Sequence, residues 1–492
     1  MCAWAYRFWK MYVNQKFLDK WNEDSIMLEI KLPREINKSP LAAEVALASL
    51  LQGGGISKWY QREFLGALPA YSSLEIASLE GIIHFYIRIN KKFRAIVESN
   101  FYAQYPGIEI VEADDYTKKI RYHHLSKDVS IFGITYKLES KWSPTNPETG
   151  KSFSKSGKKE VGEGEDEYKM SADFRPIKTY VDYGLDKDPK EEYKTDPIAP
   201  LLEFMGSIGK GEYFWYQILV QDEGVYNGTT KPKKFYVNEQ SHEHLSLKDL
   251  ADARKKQIRM AGFIKKGSKV YDEYGGVKTK TVKDKDGNET TEDVVYKFEE
   301  PKFITKKEME LTIEEKEEIE AISKKISKPL AVVVPRLIYI AKKENFSGGH
   351  IQNVLAFPKP YKGLNGFGNF VKISDPYDFP WQKIKHGEWR AEEIFEAYVE
   401  REGFFPHIKD RKMLDTWEDL AFWASSMKAR KMFRMMYEAI LYPFDHPHAD
   451  EASIINMEEL ATLWHLPGQV VATPTLPRID SNKGMAPTNL PQ

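Results

Sequence analysis

The chain has 492 residues, of which 41% are hydrophobic and 13% aromatic, enough for several domains with cores of their own, and this excludes an intrinsically disordered protein. Its 72 lysines and arginines are balanced by 73 acidic residues, so the net charge gives no overall attraction to nucleic acid or to an anionic membrane. Cys2 is the only cysteine, which excludes a disulfide framework and cysteine-based zinc sites and favours a reducing compartment, the cytoplasm.

Residues 1–25 predict a helix that mixes aromatic and basic side chains, among them Trp4, Phe8, Trp9 and Lys10. This mixture is typical of a helix at a membrane interface, and no stretch of the sequence approaches the roughly 20 apolar residues that span a bilayer. We therefore expect these four side chains to contact a membrane, at the cytoplasmic face of the inner membrane. An ordinary amphipathic helix docked on the protein core is the alternative.

Residues 26–142 predict a first ferredoxin-like unit. Alternating apolar residues mark its strands, Ser39 and Pro40 supply the start of a helix, and Glu80-Gly81 indicates a hairpin turn. The expected order is strand, helix, two strands, helix and strand. The segments are 27–32, 40–52, 73–79, 82–89, 91–105 and 108–112.

After a polar linker over residues 143–172, residues 173–385 predict a second unit of the same order. An insertion over residues 223–328 separates its second and third strands, which is tolerated because the cost of loop closure rises slowly with length. The expected strands are Ile177–Tyr183, Tyr213–Val220 and Ala331–Ile340, and helices are expected from Asp196 to about Ile208 and from Ser347.

The insertion is rich in lysine and glutamate, and Asp286-Gly287-Asn288 indicates an exposed hairpin within it. Because the lysines are balanced by acids, we expect a solvated surface, with a contact to DNA as the alternative.

Residues 386–468 predict a helical region, and residues 469–492 form a proline-rich connector. Four basic residues lie close together in the helical region: Lys428, Arg430, Lys431 and Arg434. Such a cluster could meet the phosphates of a nucleic acid, whereas an exposed helix face is the plainer interpretation. The predicted fold class is thus α+β, with tandem ferredoxin-like (βαββαβ) units and a long insertion, followed by helices and the connector.

The sequence contains no constellation that indicates catalysis. A P-loop needs Gly-x-x-x-x-Gly-Lys-Ser/Thr, so that backbone amides surround the phosphates and the hydroxyl meets magnesium, and this string does not occur. In Asp445-His446-Pro447-His448 the proline prevents the helical histidine spacing that a metal site would use. We therefore expect no enzyme activity, no cofactor and no metal.

The end of the chain carries a resemblance to a known family. The strings EELATLWHLPG at residues 458–468, LPRI at 476–479 and NLP at 489–491 resemble the segment that precedes the motor domain in type IV secretion coupling-protein-like ATPases of the FtsK/HerA superfamily. Residues 28–33 and 97–106 resemble the amino-terminal region of the same family. The resemblance implies contact with a coupling ATPase or another secretion subunit through Trp464, His465, Pro467, Arg478 and Leu490.

Two functional hypotheses follow. The first is a non-catalytic docking module of a type IV secretion or conjugation-like DNA translocation machine, oligomeric in its complex with a separate coupling ATPase. The second is a free-standing nucleic-acid-binding protein that uses local basic clusters, with DNA as its partner.

Overall fold

The computed structural model describes most of the chain. Outside the description lie residues 1, 34–35, 37, 52–59, 62–63, 123–127, 144–169, 187–194, 224–235, 239–242, 265–278, 284–288, 294–301, 307, 373–390, 392–393, 403–451, 469–475 and 480–492. The chain divides into two compact units. Unit 1 comprises Met1–Glu139, Pro176–Lys233 and Lys325–Gln492, and unit 2 comprises Ser140–Arg175 and Lys234–Lys324.

The elements are numbered in chain order over the described residues. The strands are β1 Ser25–Pro33, β2 Tyr71–Leu79, β3 Ile82–Asn90, β4 Glu109–Ala113, β5 Val129–Leu138, β6 Lys141–Trp142, β7 Met170–Ser171, β8 Glu212–Asp222, β9 Tyr236–Asn238, β10 Glu243–Leu245, β11 Met260–Ile264, β12 Thr279–Lys283, β13 Glu289–Asp293, β14 Lys302–Thr305, β15 Leu330–Lys342, β16 Phe367–Lys372, β17 Ser453–Asn456 and β18 Arg478–Ile479. The α-helices are α1 Cys2–Glu23, α2 Pro40–Leu47, α3 Arg94–Gln104, α4 Ala199–Ser207, α5 Leu247–Arg259, α6 Ile313–Ser327, α7 Gly348–Ala356 and α8 Met457–Leu463.

Unit 1 is built on one large sheet in the order β16-β5-β15-β8-β2-β3-β1-β18, with β17 also paired to β15 and β4 to β1. Its strand pairs are antiparallel except for the short parallel pair of β1 with β18. Together with the helices, this confirms the α+β class.

The first half of the sheet follows the predicted order β1, α2, β2, β3, α3, β4. The strands lie side by side as β4-β1-β3-β2. The hairpin between β2 and β3 is tight because Glu80 and Gly81 both adopt positive φ, 55° and 92°, the conformation of a two-residue turn that matches the strand twist. These elements were predicted correctly within a few residues.

The second half contains one wrong prediction. Residues 177–183 form no strand but a loop followed by turns, because amides of this segment donate to side chains, to the carbonyl of Tyr361 and to the carbonyl of Thr179 within the turn rather than to a neighbouring strand. Glu459 accepts from the amide of Ile177, and Thr462 accepts from that of Tyr180.

The first strand of this half is instead β5, which sequence reasoning did not assign. The order β5, α4, β8, β15, α7, β16 then repeats that of the first half, and the strands lie as β16-β5-β15-β8. The other predicted strands and both predicted helices of this half are confirmed.

The two halves join where β2 pairs with β8, from Tyr71 opposite Gln221 to Leu79 opposite Tyr213. One face of the sheet carries helices α2, α3, α4, α7 and α8 and the larger apolar core. The opposite face carries a smaller core, to which the segment 394–398 contributes Ile394, Phe395 and Tyr398.

Unit 2 holds short antiparallel ladders and α5. Helix α5 begins with a capping box in which Ser246 and Asp249 satisfy each other's backbone amides, and this stabilises the first turn. Glu318 accepts from Arg254 at 2.9 Å and from Arg175 at 2.9 Å. The predicted hairpin is confirmed by the pairing of β12 with β13.

Among the described helices, none combines the length and the apolar character that crossing a membrane would require.

Gly66 lies directly against the backbone of α1. Its φ is +62°, and a Cβ added there would lie 2.3 Å from the backbone carbonyl of Val13. We expect Gly66→Ala to lower the free energy of unfolding by at least about 2 kcal/mol, since both strain and a backbone clash oppose it. Urea denaturation measures this loss. Gly184→Ala is the matched control, because Gly184 has φ +70° with nothing within 4 Å; equal losses would contradict the clash.

Candidate functional site: a buried charged cluster and the connector helix

A row of polar side chains crosses the sheet on the face opposite the larger apolar core. The strand register places Glu75 of β2 opposite Gln217 of β8, Gln217 opposite Arg336 of β15, and Arg336 opposite Thr135 of β5. Glu75 and Gln217 are 0% exposed and Arg336 is 1% exposed. Such groups are costly to bury unless they are hydrogen-bonded, so the row marks a position where the structure maintains polar contacts.

Glu75 stands at the β2 end of this row. Its carboxylate accepts hydrogen bonds from Ser73 Oγ at 2.6 Å, from Tyr116 Oη at 2.7 Å and from Gln217 Nε2 at 3.1 Å. The Tyr116 and Tyr398 hydroxyls lie 2.7 Å apart. These three donors satisfy the buried carboxylate.

Arg401 supplies the positive charge. Its Nε lies 3.1 Å from Glu75 Oε1, and its two Nη atoms form a fork on Asp115 at 2.6 and 3.0 Å. Burial alone would lower the pKa of Arg401, but Glu75 and Asp115 outweigh burial and hold it well above its ordinary value. Burial would likewise raise the pKa of Asp115, but Arg401 outweighs it and lowers that pKa to about 2.

The backbone at Arg401 is itself unusual, with φ +54°. A residue other than glycine keeps this strained conformation only where surrounding contacts hold it in place. Nη1 also donates to the carbonyl of Val399 at 2.7 Å. The ion pair with Glu75 and the contact between Tyr116 and Tyr398 fasten residues 394–401 to the sheet. We call Glu75, Asp115, Tyr116, Gln217, Tyr398 and Arg401 the Glu75 cluster.

The charged side chains of the Glu75 cluster are paired within the cluster. Glu75 and Arg401 are paired with each other, so neither is placed as a general base or as an anion-binding group. Within the described part of the chain, no group of three or more His, Cys, Asp or Glu side chains could hold a metal ion.

A second set of buried polar groups surrounds α8, here called the connector helix. It begins with a capping box, in which Asn456 and Glu459 bond each other's amides at 2.8 Å. Lys325 Nζ lies 3.0 Å from Glu459, and both side chains are fully buried. Burial raises the pKa of Glu459, although Lys325 opposes this. A pair of this kind favours one arrangement of the helix over others.

The predicted partner contacts Trp464, His465 and Pro467 lie inside the protein. Trp464 is 0% exposed and packs edge-on against Phe85 at 5.9 Å and Phe101 at 6.2 Å. His465 and Pro467 are buried as well. These three side chains therefore cannot contact a separate partner in this conformation, because they form part of the core.

The imidazole of His465 donates in two directions. Its Nδ1 lies 2.8 Å from the carbonyl of Ala461, and its Nε2 lies 3.1 Å from the Asp196 carboxylate. Both acceptors need a proton on the ring, so this geometry favours the imidazolium. Burial alone would lower the pKa of His465, but Asp196 outweighs it and raises that pKa above its ordinary 6.5. In return, His465 outweighs the effect of burial on Asp196 and lowers the pKa of Asp196.

We expect this pair to make stability depend on pH. The raised folded pKa of His465 makes the stabilisation disappear as pH rises through that value, and the lowered folded pKa of Asp196 makes it disappear as pH falls through that one, so it is complete between pH 3.8 and 6.5. His465→Gln should lower the free energy of unfolding by about 2 kcal/mol in that range, typical of a charged hydrogen bond, and by less at higher pH. Urea denaturation from acidic to alkaline pH measures this, with Asp196→Asn as control, which should lose the same pH dependence. If the free energy of unfolding depends on pH in the same way for the wild type and His465→Gln, the prediction is wrong.

The remaining predicted contacts are placed as follows. Arg478 is half-buried in β18, where its Nη1 donates to the carbonyl of Pro33 at 3.3 Å. Trp9 is 45% exposed on α1. Leu490 and the basic residues Lys428, Arg430, Lys431 and Arg434 lie outside the described residues, as do the side chains of Trp4, Phe8 and Lys10. Their roles stay predictions.

Sequence reasoning found the connector helix but missed the Glu75 cluster. The only local signal for the cluster is a glutamate between Leu74 and Ile76 in an apolar strand. Comparisons of the chain with protein-family models, with curated proteins and with solved structures find no match.

Proposed function

We propose that the chain is a non-catalytic docking module of a type IV secretion or conjugation-like DNA translocation machine. In this proposal the two halves of the sheet are tandem ferredoxin-like units, and they hold a separate coupling-type ATPase at the cytoplasmic face of the inner membrane. Support comes from the resemblance of residues 458–468 and 476–479 and from the way the same residues are anchored.

That anchoring is the observation that carries the proposal. Trp464 packs against Phe85 and Phe101 of the first half. From the second half, Tyr216 Oη donates to the carbonyl of Leu463 at 3.3 Å. The connector helix is thus held by both halves, and β18 then pairs with β1. A load applied beyond Ile479 would be transmitted to the whole sheet, as a docking module requires.

The 492 residues contain no P-loop string, so nucleotide hydrolysis in this proposal is the task of the partner ATPase. The chain contributes position and rigidity, and the buried ion pair of Lys325 with Glu459 fixes the geometry of the connector helix.

The test is direct binding. Affinity isolation of the tagged chain from its native host, followed by mass spectrometry, should identify an ATPase that carries a P-loop. That ATPase, purified separately, should bind the chain in solution. A chain lacking residues 480–492 keeps β18 and should fold, but it should lose this binding; binding that survives the truncation counts against the proposal.

The alternative, a free-standing nucleic-acid-binding protein, makes a different prediction. Split βαββαβ units that bind RNA stack bases on an open sheet face, and here Phe395 and Tyr398 cover part of that face. Binding of a labelled oligonucleotide that weakens steeply with salt, in the absence of any ATPase, would favour the alternative.

A further inference from the structure

Helix α1 presents a mixed aromatic and basic stripe to solvent. Trp9, Tyr12, Lys16 and Lys20 are spaced by three or four residues and therefore lie on one face of the helix. Trp9 is 45% exposed and Tyr12 is 37% exposed, and both lysines are exposed. The helix is held from its other side, where Trp21 is buried against Tyr71 at 6.0 Å.

A neighbouring loop extends the apolar part of this surface. Phe64 is 55% exposed and Leu65 is 59% exposed, and the next residue, Gly66, lies directly against the backbone of Val13. Exposed aromatic and aliphatic side chains thus occur on α1 and in the segment that approaches it at Val13. Clusters of exposed apolar side chains mark interaction sites.

The charges around this surface favour an anionic occupant. Over Cys2–Glu23 there are four basic residues and two acidic ones, a net charge of +2. Lys16 Nζ lies 4.8 Å above the ring of Tyr12, so positive charge sits at the edge of the aromatic surface. Of the two acids, Asp19 accepts a hydrogen bond from Gln15 at 3.0 Å.

We propose that the surface formed by Trp9, Tyr12, Lys16, Lys20, Phe64 and Leu65 binds an anionic lipid bilayer at its headgroup level. Tryptophan and tyrosine rings favour that depth, since one part of each ring is apolar and another is polar. Lysines beside them gain from the negative surface potential. The inference deepens the membrane location within the proposed function, but it can fail while the ATPase partnership stands.

The test is flotation of the full chain with vesicles of phosphatidylglycerol and phosphatidylcholine, compared with vesicles of phosphatidylcholine alone. We expect binding to the anionic vesicles only. Lys16→Ala/Lys20→Ala should lower the partition coefficient roughly tenfold or more, from about 1 kcal/mol per lysine near such a surface. Trp9→Ala/Tyr12→Ala should lower it by a similar factor through the loss of buried apolar area.

Leu41→Ala/Val45→Ala is the matched control, because these α2 residues are 48% and 47% exposed and lie outside the proposed surface. Its partition coefficient should equal that of the wild type, and circular dichroism should show that every variant is folded. The proposal is overturned if the wild type does not bind anionic vesicles, or if both double variants bind as well as the control. It is also overturned if the surface instead forms a dimer that Trp9→Ala/Tyr12→Ala dissociates without any vesicle binding.

Discussion

Arg401→Met is expected to lower the free energy of unfolding by about 3–5 kcal/mol, because it leaves the buried Glu75 and the partly buried Asp115 without their cation. Arg401 is 2% exposed and Glu75 is 0% exposed, so water cannot replace the lost partner. The fork on Asp115 disappears with the same change. Urea denaturation at neutral pH, with tryptophan fluorescence as the signal, measures the loss.

Arg94→Ala is the matched control for charge removal. Arg94 also contacts two carboxylates, Glu98 and Glu112, each at 2.8 Å, but its side chain is 34% exposed. A surface pair of this kind contributes about 0–1 kcal/mol. The triple variant Glu75→Gln/Asp115→Asn/Arg401→Met should recover part of the loss, since no buried charge then lacks a partner.

Low pH should also weaken the Glu75 cluster, because it protonates Asp115. The pKa of Asp115 is lowered from 3.8 to about 2, so its stabilisation is present above pH 3.8 and is lost as pH falls through about 2. If Arg401→Met lowers the free energy of unfolding by less than 1 kcal/mol, the Glu75 cluster does not hold residues 394–401 on the sheet.

Trp464→Ala should lower the free energy of unfolding by about 3–5 kcal/mol, the range for removal of a fully buried aromatic side chain. The indole fills the space between Phe85 and Phe101, and the connector helix has few other large apolar side chains with which to close the cavity. Thermal and urea unfolding measure the effect on stability. Proteolysis at low protease concentration measures whether the connector helix detaches first.

Trp464→Phe separates packing from hydrogen bonding at this position. Among the described residues, the buried Nε1 of Trp464 has no hydrogen-bond acceptor, so replacement by phenylalanine removes an unsatisfied donor while it keeps much of the ring. We expect a loss below about 1.5 kcal/mol. Trp9→Ala, at an exposed tryptophan, should change stability little. If Trp464→Ala behaves like Trp9→Ala, the connector helix is not held as the structure indicates.

Much of the large sheet could be predicted from the sequence because its strands carry clear local signals. The alternation in β1 and β3 and the Glu80-Gly81 turn are visible without any tertiary contact. Strand β5 has the same signal, with Phe132, Ile134, Tyr136 and Leu138 alternating toward the core. Its place in the sheet depends on pairing with β15, some 200 residues away, and no local pattern shows that.

The error at residues 177–183 has a different cause. Their apolar residues are spaced as in a strand, but the connector helix supplies the acceptors for the amides of Ile177 and Tyr180. The Glu75 cluster was equally inaccessible, since Glu75, Gln217 and Arg401 are brought together only by the fold. A single sequence shows that a glutamate is present in a strand, but it does not show which distant arginine neutralises it.

The joint between β2 and β8 has a consequence for any attempt to divide the protein. Each half would leave a strand of nine or more residues with its hydrogen-bonding edge uncovered, which is a template for pairing with another chain. Because the joint is antiparallel and the halves share one strand order, a single half could meet a copy of itself in the same way. Either half produced alone is therefore expected to dimerise or aggregate, whereas the intact polypeptide satisfies both edges internally.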